Sequence, residues 1–205
     1  MLARFLLALL IGLPIGAWTA WSAIRTDIGI GALSVGPWTA WPDEGSQGAD
    51  PYTRAKVAAR GTVPLGIGEG VAFEALADSS GQPLMRRCDY AVSGRTPKAR
   101  IWTLTAHDVG QQDRGGEALT RPDGEVAALT SRDLVRGEDG SFTIAIGPTP
   151  GPGDRIVLRP AKPAAPPALP QRLRIVLRLY DSPVSTSAEL FEPTMPSIER
   201  RGCSA

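Results

Sequence analysis

The sequence predicts a mostly β protein: a jelly-roll-like antiparallel β-sandwich with one short helix, preceded by an N-terminal transmembrane helix. Three observations carry this expectation. Residues 5–24 contain no charge, and twenty helical residues span about 30 Å, the thickness of a bilayer's hydrocarbon core. The 205 residues include 23 glycines and 19 prolines, which interrupt helices and mark turns. Short β-branched and aromatic runs recur between those turns. The clearest, Arg172–Tyr180, alternates its side chains with the period of a strand.

Met1 to Arg4 forms a short head with one positive side chain. Trp18 and Trp21 lie near the far end of the apolar run, where indole rings favour the headgroup boundary, and Arg25 and Asp27 mark the return to water. Gly12, Pro14 and Gly16 would weaken a soluble helix but are tolerated in a membrane. The alternative is a cleaved signal peptide, with Phe5–Leu13 as its apolar region and Ala20-Trp21-Ser22 supplying small residues for the peptidase. Arg4 and Arg25 nearly cancel as topological signals, so the short head is what argues for an N-in arrangement. The expectation is a single pass through a bacterial inner membrane, contact with the lipid bilayer through residues 5–24, and a periplasmic C-terminal domain. The chain then divides into an anchor or signal segment (1–25), a linker and lead-in (26–50) and a β-domain (51–205).

Asp50–Arg60 carries the best helix signal of the polar part. Asp50 can cap it, Pro51 suits the first helical position, and Gly61 follows the last turn. Tyr52, Ala55 and Ala59 share the face expected to pack. Strand-like runs follow at 71–77, 89–93, 100–106 and 142–146, separated by turn signals such as Ser79-Ser80-Gly81 and Asp139-Gly140. Residues 127–135 fit a strand or a short helix around Ser131–Leu134, and residues 155–158 fit an edge pairing. Ala161–Pro170, rich in Pro and Ala, reads as an extended surface loop. In Arg172–Tyr180, Leu173, Ile175, Leu177 and Leu179 point one way; Arg172, Arg174, Val176, Arg178 and Tyr180 point the other. Six to eight strands and one helix imply a sandwich in which antiparallel pairing dominates.

The formal net charge is +1, which gives no global field for nucleic acid, and no basic stripe carries interleaved aromatics. Nucleic acid is therefore not an expected partner.

These residues resemble the DUF1214 family, a domain of unknown function. The resemblance rests on Gly36-Pro37-Trp38, Asp50–Ala55, Cys88-Asp89-Tyr90 with Ser93-Gly94-Arg95, Ala99–Thr105, Asp139–Ile144, Val176–Asp181 and Thr194–Arg200, seven separated stretches in order. It implies an all-β, jelly-roll-like domain, often behind an N-terminal membrane segment. It also implies frequent association with a second uncharacterised domain, DUF1254, fused or separate. The family carries no established activity, so the resemblance transfers no catalytic residue and no cofactor. One departure matters: where the family leads us to expect a Trp-containing stretch, this chain reads Asp154-Arg155-Ile156-Val157-Leu158.

Cys88 and Cys203 are the only cysteines. Outside the cytoplasm they can form one disulfide, which would close a long loop and pin the C-terminal tail to an early strand; two separate thiols are the alternative. Their spacing fits no cysteine-pair metal knuckle, and a single histidine with scattered carboxylates makes no dense ligand set. His107 sits beside Asp108 before Gly110, which suits a turn, and no Gly-x-Ser-x-Gly elbow accompanies it. Gly66-Ile67-Gly68-Glu69-Gly70 resembles a nucleotide loop, but a strand rather than a helix follows it, so a structural turn is expected.

Arg174, Arg178 and Tyr180, with Arg172, share one strand face. They form a binding surface for an anionic or carbohydrate ligand or a partner chain, or else a solvated outer face. Trp38, Trp41, Tyr90 and Trp102 read as core residues or as a sugar platform. The functional expectation is a membrane-tethered periplasmic envelope module that binds a partner, such as a DUF1254 protein, or a glycan. The alternative is an envelope enzyme acting on a carbohydrate through carboxylates and Arg in a sandwich cleft, although nothing in the chain nominates a carboxylate pair.

Overall fold

A computed structural model of the chain describes residues 1–25, 31–61, 63–109, 119, 121, 123–159, 171–182 and 193–204. The loop expected over 161–170 lies outside them. Helix α1 (Leu2–Arg25) is followed by β1 (Leu33–Val35), β2 (Trp38–Ala40), a 3₁₀ turn (Pro42–Gly45) and α2 (Pro51–Arg60). The strands β3 (Gly70–Ala75), β4 (Cys88–Gly94), β5 (Ile101–Val109), β6 (Ala128–Thr130) and β7 (Phe142–Gly147) come next. The last are β8 (Arg155–Val157), β9 (Arg172–Tyr180) and β10 (Ser197–Cys203).

Among the described residues the strands form a six-stranded sheet, β1-β2-β3-β9-β5-β6, and a four-stranded sheet, β10-β4-β7-β8. Every pairing is antiparallel except β7 with β8. Trp38, Phe73, Leu104 and Leu177 of the larger sheet and Tyr90, Val92, Ile144 and Ile198 of the smaller one join a single buried cluster. The mostly β, sandwich-like architecture is the one expected. So is the apolar α1: its span Leu2–Ala23 is long and apolar enough to cross a membrane, and its most apolar window has no residue buried against the protein.

Four local expectations change. Residues 33–40, read as lead-in, form a hairpin whose second strand pairs with β3 and buries Trp38 and Ala40; Gly36 supplies the positive φ of its turn. Strand β5 extends to Val109, so His107 lies on a strand, held there by nine register pairs with β9. Residues 131–133 form a turn with no helix, because the Asp133 carboxylate accepts from the Thr130 hydroxyl and amide. The C-terminal residues, not read as a strand, form β10.

Helix α2 keeps its expected ends. Asp50 accepts from the Tyr52 and Thr53 amides, and Gly61 closes the helix at φ 64°. Its buried face is different: Lys56 is buried and Thr53 and Val57 are half-buried, whereas Tyr52 and Ala59 are exposed. The cause lies before the helix. Arg54 donates to the carbonyls of Gln47 and Ala49, so polar bonds set the helix rotation and override its weakly apolar alanine face.

Cys88 and Cys203 are joined in a disulfide, 115 residues apart in sequence. It latches the edge strand β10 to β4. The Arg200 guanidinium adds to the latch: it lies 3.2 Å from the buried Asp78 carboxylate, donates to the Pro83 carbonyl and stacks over the Tyr90 ring. Gly70 is required where β3 meets β9, since at φ 152° a Cβ would stand 2.0 Å from the Leu179 carbonyl oxygen.

Two stability outcomes follow from this packing. Cys203→Ser opens the long loop and is expected to cost up to about 4–5 kcal/mol in chemical unfolding; a loss below about 1 kcal/mol would mean the noncovalent latch suffices. Lys56→Met is expected to stabilise by about 1–2 kcal/mol, because the Lys56 ammonium is buried without a hydrogen-bond partner among the described residues. A lowered melting temperature for Lys56→Met would contradict this.

Candidate functional site

Side chains alternate along a strand, so the Leu173, Ile175, Leu177 and Leu179 row of β9 that fills the core leaves Arg174, Val176, Arg178 and Tyr180 on the outer face of the larger sheet. The neighbours on that face are set by β3 and β5. Tyr180 lies between Gly70 and Ile101, Arg178 between Ala72 and Thr103, Val176 between Glu74 and Thr105, and Arg174 opposite His107.

The three residues expected from the sequence share this face but differ in role. Arg174 is 8% exposed, and its Nη1 lies 3.3 Å from Glu74 Oε2. That diagonal cross-strand ion pair ties β9 to β3 and is structural. Arg178 is half-buried, with Nη1 3.4 Å from Thr105 Oγ1. No ion pair among the described residues involves Arg178. Tyr180 is half-buried at the end of the strand; beyond it Asp181 turns into the left-handed region at φ 49° and pairs with Arg100.

Thr105 links Arg178 to the chain's single histidine: its Oγ1 is 2.9 Å from His107 Nε2. A guanidinium that pairs with no carboxylate among the described residues, a hydroxyl and an imidazole thus stand in one row. Such a set suits an anionic group, which a guanidinium can grip through paired N–H donors. Sequence reading missed Thr105 and placed His107 at a turn, apart from this face. The alternation Thr103-x-Thr105-x-His107 was the available signal, but it counts only once β5 is known to continue past Ala106.

Other candidates resolve into structure. Trp38 and Tyr90 are fully buried and Trp102 is 2% exposed, so these three belong to the core and form no sugar platform. The Trp38 indole donates to the Pro196 carbonyl, and the Tyr90 hydroxyl accepts from the Met85 amide. Gly66–Gly70 is a turn leading into β3, with Glu69 Oε2 accepting from the Gly66 amide. At the departure from the family pattern, Arg155 reaches Asp89 at 3.7 Å and donates to the Thr149 carbonyl, so it binds β8 to its neighbours.

A pocket of about 220 Å³ lies at the start of α2, lined by Trp41, Asp43, Glu44, Asp50 and Thr53 among others. It brings carboxylates together, but Asp50 is committed. The Thr53 hydroxyl, and after it the Thr53 and Tyr52 amides, hold its carboxyl below the ordinary value. A carboxyl kept ionised in this way is a poor general acid for glycoside cleavage. Among the described residues no three His, Cys, Asp or Glu side chains are placed to hold a metal ion together.

Residues 69–184, more than half of the chain, match the family described as a protein of unknown function, DUF1214. The similar stretches at 36–38, 50–55 and 194–200 lie outside that match. No curated protein matches the chain. Among solved structures, the VPA0106 protein of Vibrio parahaemolyticus is 20% identical with a TM-score of 0.52, covering 75% of this chain and 36% of its own. An uncharacterized protein of Burkholderia cenocepacia is 17% identical with a TM-score of 0.44, covering 80% of this chain and 47% of its own. The chain therefore spans less than half of either protein, and the likeness to the first is one of fold.

The two arginines are expected to separate on mutation. Arg174→Ala should destabilise by about 1–3 kcal/mol, since Glu74 stays partly buried and loses its partner. Arg178→Ala should change stability by less than about 0.5 kcal/mol. Equal losses in denaturant unfolding would mean that Arg178 is structural as well.

Proposed function

The chain belongs to the DUF1214 family, and on that footing we propose that it is a membrane-tethered module of the bacterial cell envelope that binds an acidic glycan on the outer face of its larger sheet. One observation carries the binding half of this reading: Arg178 sits half-buried beside Thr105, and no carboxylate among the described residues pairs with it. An arginine in that setting gains most from an incoming carboxylate or phosphate. His107 and Tyr180 on the same face add polar and flat apolar surface, the combination a sugar acid needs.

The tether half is supported by α1, whose apolar side chains face outward. In water such a surface is costly; in a bilayer it is matched. The Cys88–Cys203 disulfide supports an oxidising compartment on the far side of that bilayer.

The binding test uses the full chain in detergent with oligogalacturonate as the acidic probe and a neutral glucan oligomer as control. Binding of the acidic probe alone, weakened about 10-fold or more by Arg178→Ala, is the expected result. Equal binding of both probes, or no effect of Arg178→Ala, would overturn the reading. Capture of a protein partner through the same face, lost in Arg178→Ala and without glycan binding, would replace the glycan by a protein ligand. The tether is checked separately: alkaline extraction should leave the protein in the membrane fraction, and its release would point to a cleaved signal segment.

A further inference from the structure

We propose that α2 lies in the headgroup layer of the membrane that α1 spans and acts as an interfacial foot, turning an uncharged helix face toward the lipid. The inference rests on the tether reading above and adds a second membrane contact made by the polar domain itself.

Position comes first. Helices α1 and α2 touch, and among residues 1–23 only Ala20 and Ser22 are half-buried, the rest being exposed. The contact therefore falls at the C-terminal end of the apolar span Leu2–Ala23, level with Trp18 and Trp21. Indole side chains prefer that boundary, so α2 sits within about one helical turn of it.

The exposed surface of α2 is the second part of the argument. At 100° per residue, Pro51, Tyr52, Ala55, Ala58 and Ala59 fall on one arc of about 120°. All are exposed except the half-buried Ala55, and none is charged. The opposite side, with Lys56, Thr53 and Val57, packs against the protein. Beyond the helix, Val63 is 94% exposed. Outside α1, the large exposed apolar side chains among the described residues are Tyr52, Val63, Ile67, Val126 and Val135. Three of these five belong to α2 or to the segment directly after it, the part of the polar chain that follows the helix touching α1.

An alanine-rich face binds lipid weakly by itself. Here α1 already holds the helix at the bilayer, so local concentration replaces intrinsic affinity. An interfacial helix buries its apolar face about 5–10 Å into the headgroup and acyl boundary, a depth that Tyr52 and Val63 can reach.

The test uses the full chain in phosphatidylcholine–phosphatidylglycerol vesicles carrying a lipid with a nitroxide near the top of the acyl chain. A fluorescent label is placed on one introduced cysteine at a time: Leu10→Cys, Tyr52→Cys, Val63→Cys or Val135→Cys. The native cysteines are consumed in their disulfide. Labels at 52 and 63 are expected to be quenched about twofold or more beyond the label at 135, approaching the label at 10. If 10 is quenched while 52 and 63 match 135, the foot is wrong and the tether stands. If 10 is not quenched, the tether falls and the foot falls with it.

Discussion

The structure depends most on the register of one strand. β9 is hydrogen-bonded on both edges, to β3 and to β5, and is the central strand of the larger sheet. Its Leu173, Ile175, Leu177 and Leu179 are fully buried. At about 1.5–3 kcal/mol for each buried aliphatic side chain, that row alone rivals the net stability of a domain. A slip by one residue would expose all four and drive Arg174 and Arg178 into the core. The close approach at Gly70 reinforces the register, because only a residue without a side chain lets β3 reach the Leu179 carbonyl. The candidate binding face is thus the other side of the constraint that builds the core: Arg178 stands beside Thr103 and near Thr105 and His107 because the leucines beneath leave no other arrangement.

The smaller sheet solves a different problem. Its edge strand β10 buries Ile198 fully, while Glu199 through Cys203 are exposed. Hydrophobic burial alone would hold such a strand poorly, so other interactions replace it. The disulfide fixes one end. The Asp78–Arg200 ion pair fixes the middle, with Asp78 itself held by the Ser80 and Gln82 amides. The Ser79 hydroxyl accepts from the Ile198 amide at the other end. The sheet then depends on the oxidation state of its surroundings in a way the larger sheet does not. The latch closes where the surroundings are oxidising.

What could be read in the sequence tracks how local the signal is. The β9 alternation, the cap of α2 and the apolar α1 are each written in consecutive residues, and each appears where expected. The disulfide was legible as a possibility and needed the fold to bring residues 88 and 203 together. The hairpin over residues 33–40 was hidden because two three-residue strands around a Gly-Pro turn look like linker until Trp38 is seen under β3. The packing face of α2 was misread because hydrophobicity was taken to set its rotation, whereas the Arg54 bonds to Gln47 and Ala49 do. The site divides in the same way. Arg174, Arg178 and Tyr180 share a face by alternation, but only cross-strand register shows that Glu74 engages Arg174 and leaves Arg178 to Thr105.

The extent of the family match separates the two halves of the functional reading. Residues 69–184 contain β3 through β9, and with them the outer-face residues of the candidate site: Glu74, Thr105, His107, Arg174, Arg178 and Tyr180. The apolar helix α1, the helix α2, the first hairpin and β10 all lie outside. The sheet face is therefore built from the shared body of the family, while the latch joins that body, through Cys88 and Asp78, to the flanking strand β10 through Cys203 and Arg200. These parts are held by different forces: cross-strand register for the face, and a disulfide with an ion pair for β10. Loss of α1 would leave the register of β9, and with it the Arg178–Thr105–His107 row, unchanged. Loss of that register would dissolve core and face together, wherever the protein is held.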